Sequence, residues 1–313
     1  MNIIKYMKID ELLRQKADLK SRLKLIPYEG SIEIKTIKDK RYIYLRKRIL
    51  NKYTSTYVDS YSDELFYSIT DALNNAKALK KEIRKINIHL VRLGYKESEL
   101  TPRVLLNIDF ARINMKSNIY DQAILEGITT TYIDTETIIE NGKVSSLSSN
   151  DIQKILNLKH AWEFIMDEDV VASKSNYFIL CYIANFVNEG FYSRGGRIRG
   201  VPVKIGGTSY IPPLPVENIV IEEIENIISK DDEIINIAIE LCLYCMKKQI
   251  FNDGNKRTAV IFANHYLISK GGGLLIIPEN KVTEFKRLLI DYYEDKDEKT
   301  IKEFMKKHCW KQF

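Results

Sequence analysis

Lys248–Gln249–Ile250–Phe251–Asn252–Asp253–Gly254–Asn255–Lys256–Arg257–Thr258–Ala259 joins two apolar runs of helical spacing. Asp253–Gly254–Asn255 is a tight-turn sequence, and Asn255 is placed to cap the helix that follows. That helix opens on Lys256 and Arg257. Cations in a first turn oppose the helix dipole, so they make sense with an anion at the same place. Free backbone N–H groups at a helix N-terminus, joined by two cationic side chains, form a phosphate site. Asp253 beside it offers a hard carboxylate of the kind Mg²⁺ combines with phosphate oxygens. A plain helix–turn–helix connection, with a Gly C-cap and an Asn N-cap, is the competing account of the same residues.

Outward from this stretch the chain reads as helical. Asp231 to Lys248 precedes it, and Lys256 to Lys270 follows it, ended by Gly271–Gly272–Gly273. Further helices are expected from Arg103 to about Glu126, after the opening Pro102, and over 151–166, 173–189, 216–228, 281–293 and 298–309. Gly127 and Thr129–Thr130–Thr131 break the first of these, and Asn141–Gly142 and Ser145 to Asn150 make a polar link. Gly195 to Pro215 is different, with five glycines and four prolines around short apolar runs. It reads as a β-hairpin or extended flap.

The first third has its own organisation. Leu12, Leu19, Leu23 and Ile26 recur at helical spacing within Asp10–Ile26, and Pro27 and Gly30 end that helix. Three β-like runs follow, Ser31–Ile37, Arg41–Arg48 and Lys52–Val58, separated by Lys38–Asp39–Lys40 and Leu50–Asn51. A long helix then extends from an N-cap at Ser62 to Leu93, with Gly94 just past its end. Its apolar residues alternate 4 and 3 over about four heptads, a coiled-coil seam. The first helix, folded back antiparallel, is the simplest partner, and a homodimer through 62–93 is the alternative. Two domains are therefore expected, a basic N-terminal module over 1–100 and a second over 101–313.

The net charge of +6 is uneven, because residues 1–100 hold 22 Lys/Arg against 13 Asp/Glu. Tyr42, Tyr44, Arg46, Lys47, Arg48, Lys52 and Tyr53 interleave rings and cations, an arrangement that can bind nucleic acid, though a solvated scaffold face accounts for it more simply. Cys242 and Cys245 form a CxxC inside an apolar helical run, without a second pair or a His at ligand spacing, and read as core cysteines. No apolar stretch suits a signal peptide or a membrane span, so a cytoplasmic protein with no membrane partner is expected.

The motif resembles the signature of the Fic/Doc family, His-Pro-Phe-x-[Asp/Glu]-Gly-Asn-[Gly/Lys]-Arg. Phe251, Asp253, Gly254, Asn255, Lys256 and Arg257 match it in register, and the Lys form with Thr258–Ala259 is similar to the Doc branch. The likeness extends over roughly 102–313: the flap resembles the hairpin that holds a target segment, and Glu126–Gly127 resembles the end of an inhibitory helix. The resemblance implies a mainly α fold, a Fic-type helical bundle with a β-hairpin flap, beside an N-terminal helix, small antiparallel sheet and long-helix module. It implies transfer of AMP from ATP, or of another nucleotidyl or phosphoryl group, to a hydroxyl of a target protein. Asp253 would hold Mg²⁺, Gly254, Asn255 and Lys256 would shape the anion hole, Arg257 would bind the phosphate tail, and Glu126 would inhibit. Phe251 would anchor the loop.

Three departures qualify that expectation. The catalytic His position is Gln249, followed by Ile250 in place of Pro. A neutral carboxamide cannot take a proton near pH 7, and a positioned base supplies about 10²–10⁴-fold. Val260 stands where many adenylylating members carry a second Arg, and Gln122 stands where the inhibitory pattern has Ser or Thr. Glu126, which pairs with that second Arg in the family, has Arg257 or Lys256 in its place. His265 reads as a packed residue. Two functions stay open: a transferase of reduced activity, and a catalytically inactive nucleotide- or target-binding protein.

Overall fold

The computed structural model describes residues 2–49, 52–96 and 99–313. They fall into two units, residues 1–96 and 97–313.

The first unit is a helix, α1 (Asn2–Leu25), a three-stranded sheet, β1 (Ser31–Ile37), β2 (Lys40–Ile49) and β3 (Lys52–Ser60), and a second helix, α2 (Asp63–Arg92). The strands form an antiparallel meander in the order β1-β2-β3. Lys38 and Asp39 both take positive φ between the paired Ile37 and Lys40, which gives the twist a two-residue hairpin needs. The expected turn at Leu50–Asn51 lies outside the described residues. Ser62 caps α2, its hydroxyl accepting from the Leu65 amide. The α2 seam is shared between two partners. Ile69 and Leu73 pack on Ile43 of the sheet, whereas Leu90 packs on Ile9 and Leu13 of α1. The buried line of α1 is Ile9, Leu13, Ala17 and Ser21. Leu12, Leu19 and Leu23, expected at that line, are only half-buried beside it, since the smaller Ala17 and Ser21 fill the closest approach. On the outer sheet face Tyr57 packs against Tyr42 and Tyr44, Lys35 lies over Tyr44, and Arg46 lies over Tyr53.

The second unit is helical: α3 (Pro102–Leu125), α4 (Tyr132–Ile139), α5 (Ser149–Ile165), α6 (Glu168–Val171), α7 (Tyr177–Val187), α8 (Glu217–Ile228), α9 (Ile234–Lys248), α10 (Asn255–Lys270), α11 (Val282–Tyr293) and α12 (Lys299–His308). A two-residue ladder, β4 (Leu274–Leu275) with β5 (Trp310–Lys311), closes its C-terminal end. The centre is α10, which α3, α5, α7 and α9 surround. It is buried on every side, as a helix apolar all round must be. Among its internal polar groups, Asn264 bonds to the amide and carbonyl of Leu275. Cys242, Cys245 and Cys309 are buried and free, and burial pushes their thiols up, that of Cys309 to about 12.

Two segments differ from expectation. The stretch between the break at Gly127–Thr131 and the polar link forms α4, because Thr131, read as part of the break, caps it by accepting from the Asp134 amide. The flap from Gly195 to Pro215 is extended and has no paired ladder, so the β-hairpin is not formed there. Pro202, Pro212, Pro213 and Pro215 each lack the amide a ladder requires.

His265 sits fully buried in α10. Its Nε2 meets the Val170 carbonyl at 2.9 Å, so that nitrogen carries the hydrogen and Nδ1 accepts from the Ser175 hydroxyl at 2.8 Å. Burial holds its pKa down at about 4. The folded chain thus resists a proton that the unfolded chain binds below the ordinary value of about 6.5, so this stability is present above that value and is lost as pH falls toward 4. Urea unfolding at pH 7 and pH 5 should show about 2 kcal/mol of loss in the wild type that His265→Gln lacks. Equal losses in both proteins would exclude His265 as the cause.

Candidate functional site

Gln249 ends α9 in the left-handed conformation, φ 48° and ψ 61°. That reversal starts the motif loop. Gly254 (φ 72°) turns the chain again into α10, and a side chain there would press within 2.7 Å of Val187 and 2.9 Å of Asn188. Asn255 was expected as the N-cap. Gly254 is the cap residue, without any side-chain cap bond, and Asn255 is the first helical residue. Its carboxamide turns back into the loop instead. It accepts from the Phe251 amide (2.9 Å) and donates to the Phe251 carbonyl (2.7 Å) and the Gln249 Oε1 (3.1 Å). Phe251 is fully buried beneath it. With the α10 cap position empty of side-chain oxygen, no side chain caps its first amides.

Two neighbours fix this loop from outside. Asn188, just past α7, donates to the Asp253 carbonyl at 3.0 Å and the Gly195 carbonyl at 3.2 Å. Arg199, 2% exposed, donates to the carbonyls of Gln249, Val201, Pro212 and Pro213, and its own amide donates to the Ile250 carbonyl. It therefore clamps both ends of the flap onto the start of the motif.

The charged groups converge at the first turn of α10. Arg257, also 2% exposed, meets Asp253 at 3.1 Å and Glu126 at 3.3 Å, and donates to the Val187 carbonyl. Its Nε has no hydrogen bond of proper geometry. Lys256 lies 3.8 Å from the other oxygen of Glu126. Glu126 at the C-cap of α3 thus reaches both cations. Gln122, one turn earlier, donates to the Arg257 carbonyl (2.8 Å) and accepts from the Trp162 indole (3.2 Å), tying α3 to α10. Val260 is buried and presents nothing to the site. Gln249 donates to the Met246 carbonyl at 2.6 Å and holds Asn255 with its oxygen, so both ends of its carboxamide serve the loop.

A cleft of about 430 Å³ opens over these residues. The motif supplies Gln249 and Asn252 to Lys256, and α3 supplies Glu126. Val203 to Gly206 of the flap, which the resemblance placed beside the site, form one further wall, and Lys286, Leu289 and Tyr293 of α11 form another, which sequence reasoning did not find. The missed signal for α11 is a charge in an apolar stripe: Val282, Lys286, Leu289 and Tyr293 follow one another at spacings of 4, 3 and 4. Among the described residues no cluster of three metal-ligating side chains occurs, and the cleft offers one half-exposed carboxylate, Asp253, to a cation. No described helix is long and apolar enough to cross a membrane.

Residues 176–267, from the cap of α7 through most of α10, match the Fic/DOC family model. Two solved structures share the fold over most of their length. Fic-1 from C. elegans is 17% identical, with a TM-score of 0.52 over 76% of this chain and 72% of that one. A Fic family protein from Desulfovibrio desulfuricans G20 is 15% identical, with a TM-score of 0.52 over 67% and 73%. No curated protein matches the sequence. The loop with Asp253–Gly254–Asn255–Lys256–Arg257 lies inside the segment that matches the Fic/DOC family model, at the same helix junction that the cleft covers.

Proposed function

We propose that the second unit binds a Mg²⁺-bound nucleoside triphosphate, ATP in the first instance, at the start of α10, and transfers AMP or another nucleotidyl or phosphoryl group to a hydroxyl of a target protein at a low rate. The observation that carries this reading is Arg257. A guanidinium buried this deeply at the start of α10, whose Nε meets only the Glu126 carboxylate and without good hydrogen-bond geometry, is suited to an incoming phosphate that replaces that carboxylate. Asp253 fits a Mg²⁺ ion that takes its remaining ligands from phosphate and water, since one carboxylate is what such an ion needs from protein; when bound, it would neutralise phosphate charge. Lys256 and Arg257 steady the phosphates, and the stiff loop positions them. In a nucleotidyl transfer the target oxygen bonds to the α-phosphorus, pyrophosphate departs, and the hydroxyl proton passes to water or a phosphate oxygen.

Gln249 supports the low rate. Its carboxamide is occupied by Met246 and Asn255, and no described histidine lines the cleft. Phosphoryl-type chemistry depends mainly on positioning and charge stabilisation, so the missing base lowers turnover without removing the site. The same occupancy favours the second reading, a Fic-fold protein that binds nucleotide or target and turns nothing over. Glu126 acts in either case as an internal anion that competes with phosphate for Lys256 and Arg257.

The deciding experiment supplies Mg²⁺ and ATP labelled on the α-phosphate, with and without cell extract, to wild type, Gln249→His and Arg257→Ala. The transferase predicts weak label in wild type, at least 10²-fold more in Gln249→His, and none in Arg257→Ala. Label in Gln249→His alone would favour the binding protein. Silence in all three, repeated with γ-phosphate label, would falsify the transferase reading. Separately, Glu126→Gly should raise Mg–ATP affinity on the order of tenfold in equilibrium titration, because it removes the carboxylate within reach of both cations; unchanged or weaker binding would show that Glu126 does not compete.

A further inference from the structure

Lys286 occupies a position the fold would fill better with an apolar residue. It follows Val282 and precedes Leu289 and Tyr293 on the buried stripe of α11, yet it is a half-buried lysine. It forms no hydrogen bond or ion pair with any described residue. Burial and the nearby positive charge of Lys256 push its proton affinity below the ordinary lysine range, and Glu126 opposes that push. A cation kept at this cost, when methionine or leucine would suit the stripe, points to a role in the cleft it faces.

The charges of that cleft do not balance internally. Glu126 is already shared by Lys256 and Arg257, and Asp253 is engaged by Arg257. Lys286 and the flap's Lys204 add two cations with no further carboxylate in the lining. An anion of several charges restores the balance. Lys286 also comes from α11, so cations reach the cleft from more than one wall, an arrangement that suits a chain of phosphates better than a single one.

We propose that Lys286 binds the terminal phosphate of a nucleoside triphosphate and makes the cleft prefer triphosphates to monophosphates, supplying from α11 the second cation that buried Val260 cannot supply from α10. This rests on the nucleotide reading given above. Lys286→Met keeps the length of the side chain and suits the apolar stripe, so the variant should fold at least as well as the wild type. Lys286→Arg restores the charge.

The test is equilibrium binding of Mg–ATP, Mg–ADP and AMP to the full chain as wild type, Lys286→Met, Lys286→Arg and Arg257→Gln. Lys286→Met should weaken ATP about tenfold or more while AMP stays within about twofold, and Lys286→Arg should recover most of the ATP-to-AMP ratio. Equal weakening of all three ligands, or none, overturns the assignment of Lys286 while Arg257-dependent binding in the wild type keeps the nucleotide site. A correctly folded wild type that binds none of the three overturns the nucleotide reading and this inference with it.

Discussion

The carboxamide of Asn255 is the constraint on which the site depends. It bonds to both main-chain groups of Phe251 and to the side chain of Gln249, closing a loop of seven residues around one side chain. Without it, the segment between the two left-handed residues, Gln249 and Gly254, would have no internal support. With it, the loop satisfies its own polar groups and leaves the first amides of α10 without a side-chain cap. Asn188 and Arg199 then hold this unit against α7 and the flap. A site ordered before its ligand arrives loses little freedom on binding, which favours affinity and alignment alike.

The same rigidity governs the placement of Glu126. Its carboxylate is not carried by a loose loop; it caps α3, and α3 is tied to the first turn of α10 by the Gln122 bond to the Arg257 carbonyl. Gln122 is buried and also receives the Trp162 indole, so its position is set from two directions. The sequence pattern made Gln122 a departure from the family's Ser or Thr. In the folded chain it sets the distance between the Glu126 carboxylate and its cations, through helix packing and not through a hydroxyl.

Much of this architecture was legible beforehand, for reasons that differ by element. The helices flanking the motif, and α2 with its Ser62 cap, announce themselves through local spacing and capping chemistry that tertiary contacts reinforce. The meander was readable because its alternation and short turns are local too. What escaped notice depends on distant partners. Asn255 looks like an N-cap until its neighbours Phe251 and Gln249 are seen to be close in space. Thr131 looks like part of a break, because three threonines in a row carry no sign of which one caps α4. Arg199 looks like a surface charge, and its carbonyl partners come from three separate places in the chain. Lys286 left a trace in the apolar stripe of α11, but a stripe tells which face is buried and not what lies opposite.

Arg199 has a wider implication. By gripping the flap at Val201 and again at Pro212 and Pro213, it isolates the intervening bow from the motif loop mechanically. Within that bow, Thr208 and Ser209 rest on Glu294, and Tyr210 stacks on the buried Tyr293. Lys204 and its neighbours, which line the cleft between these grips, are thus carried by anchors outside themselves, so a substitution among the exposed residues of the bow alters the wall of the cleft without loosening the loop beneath it.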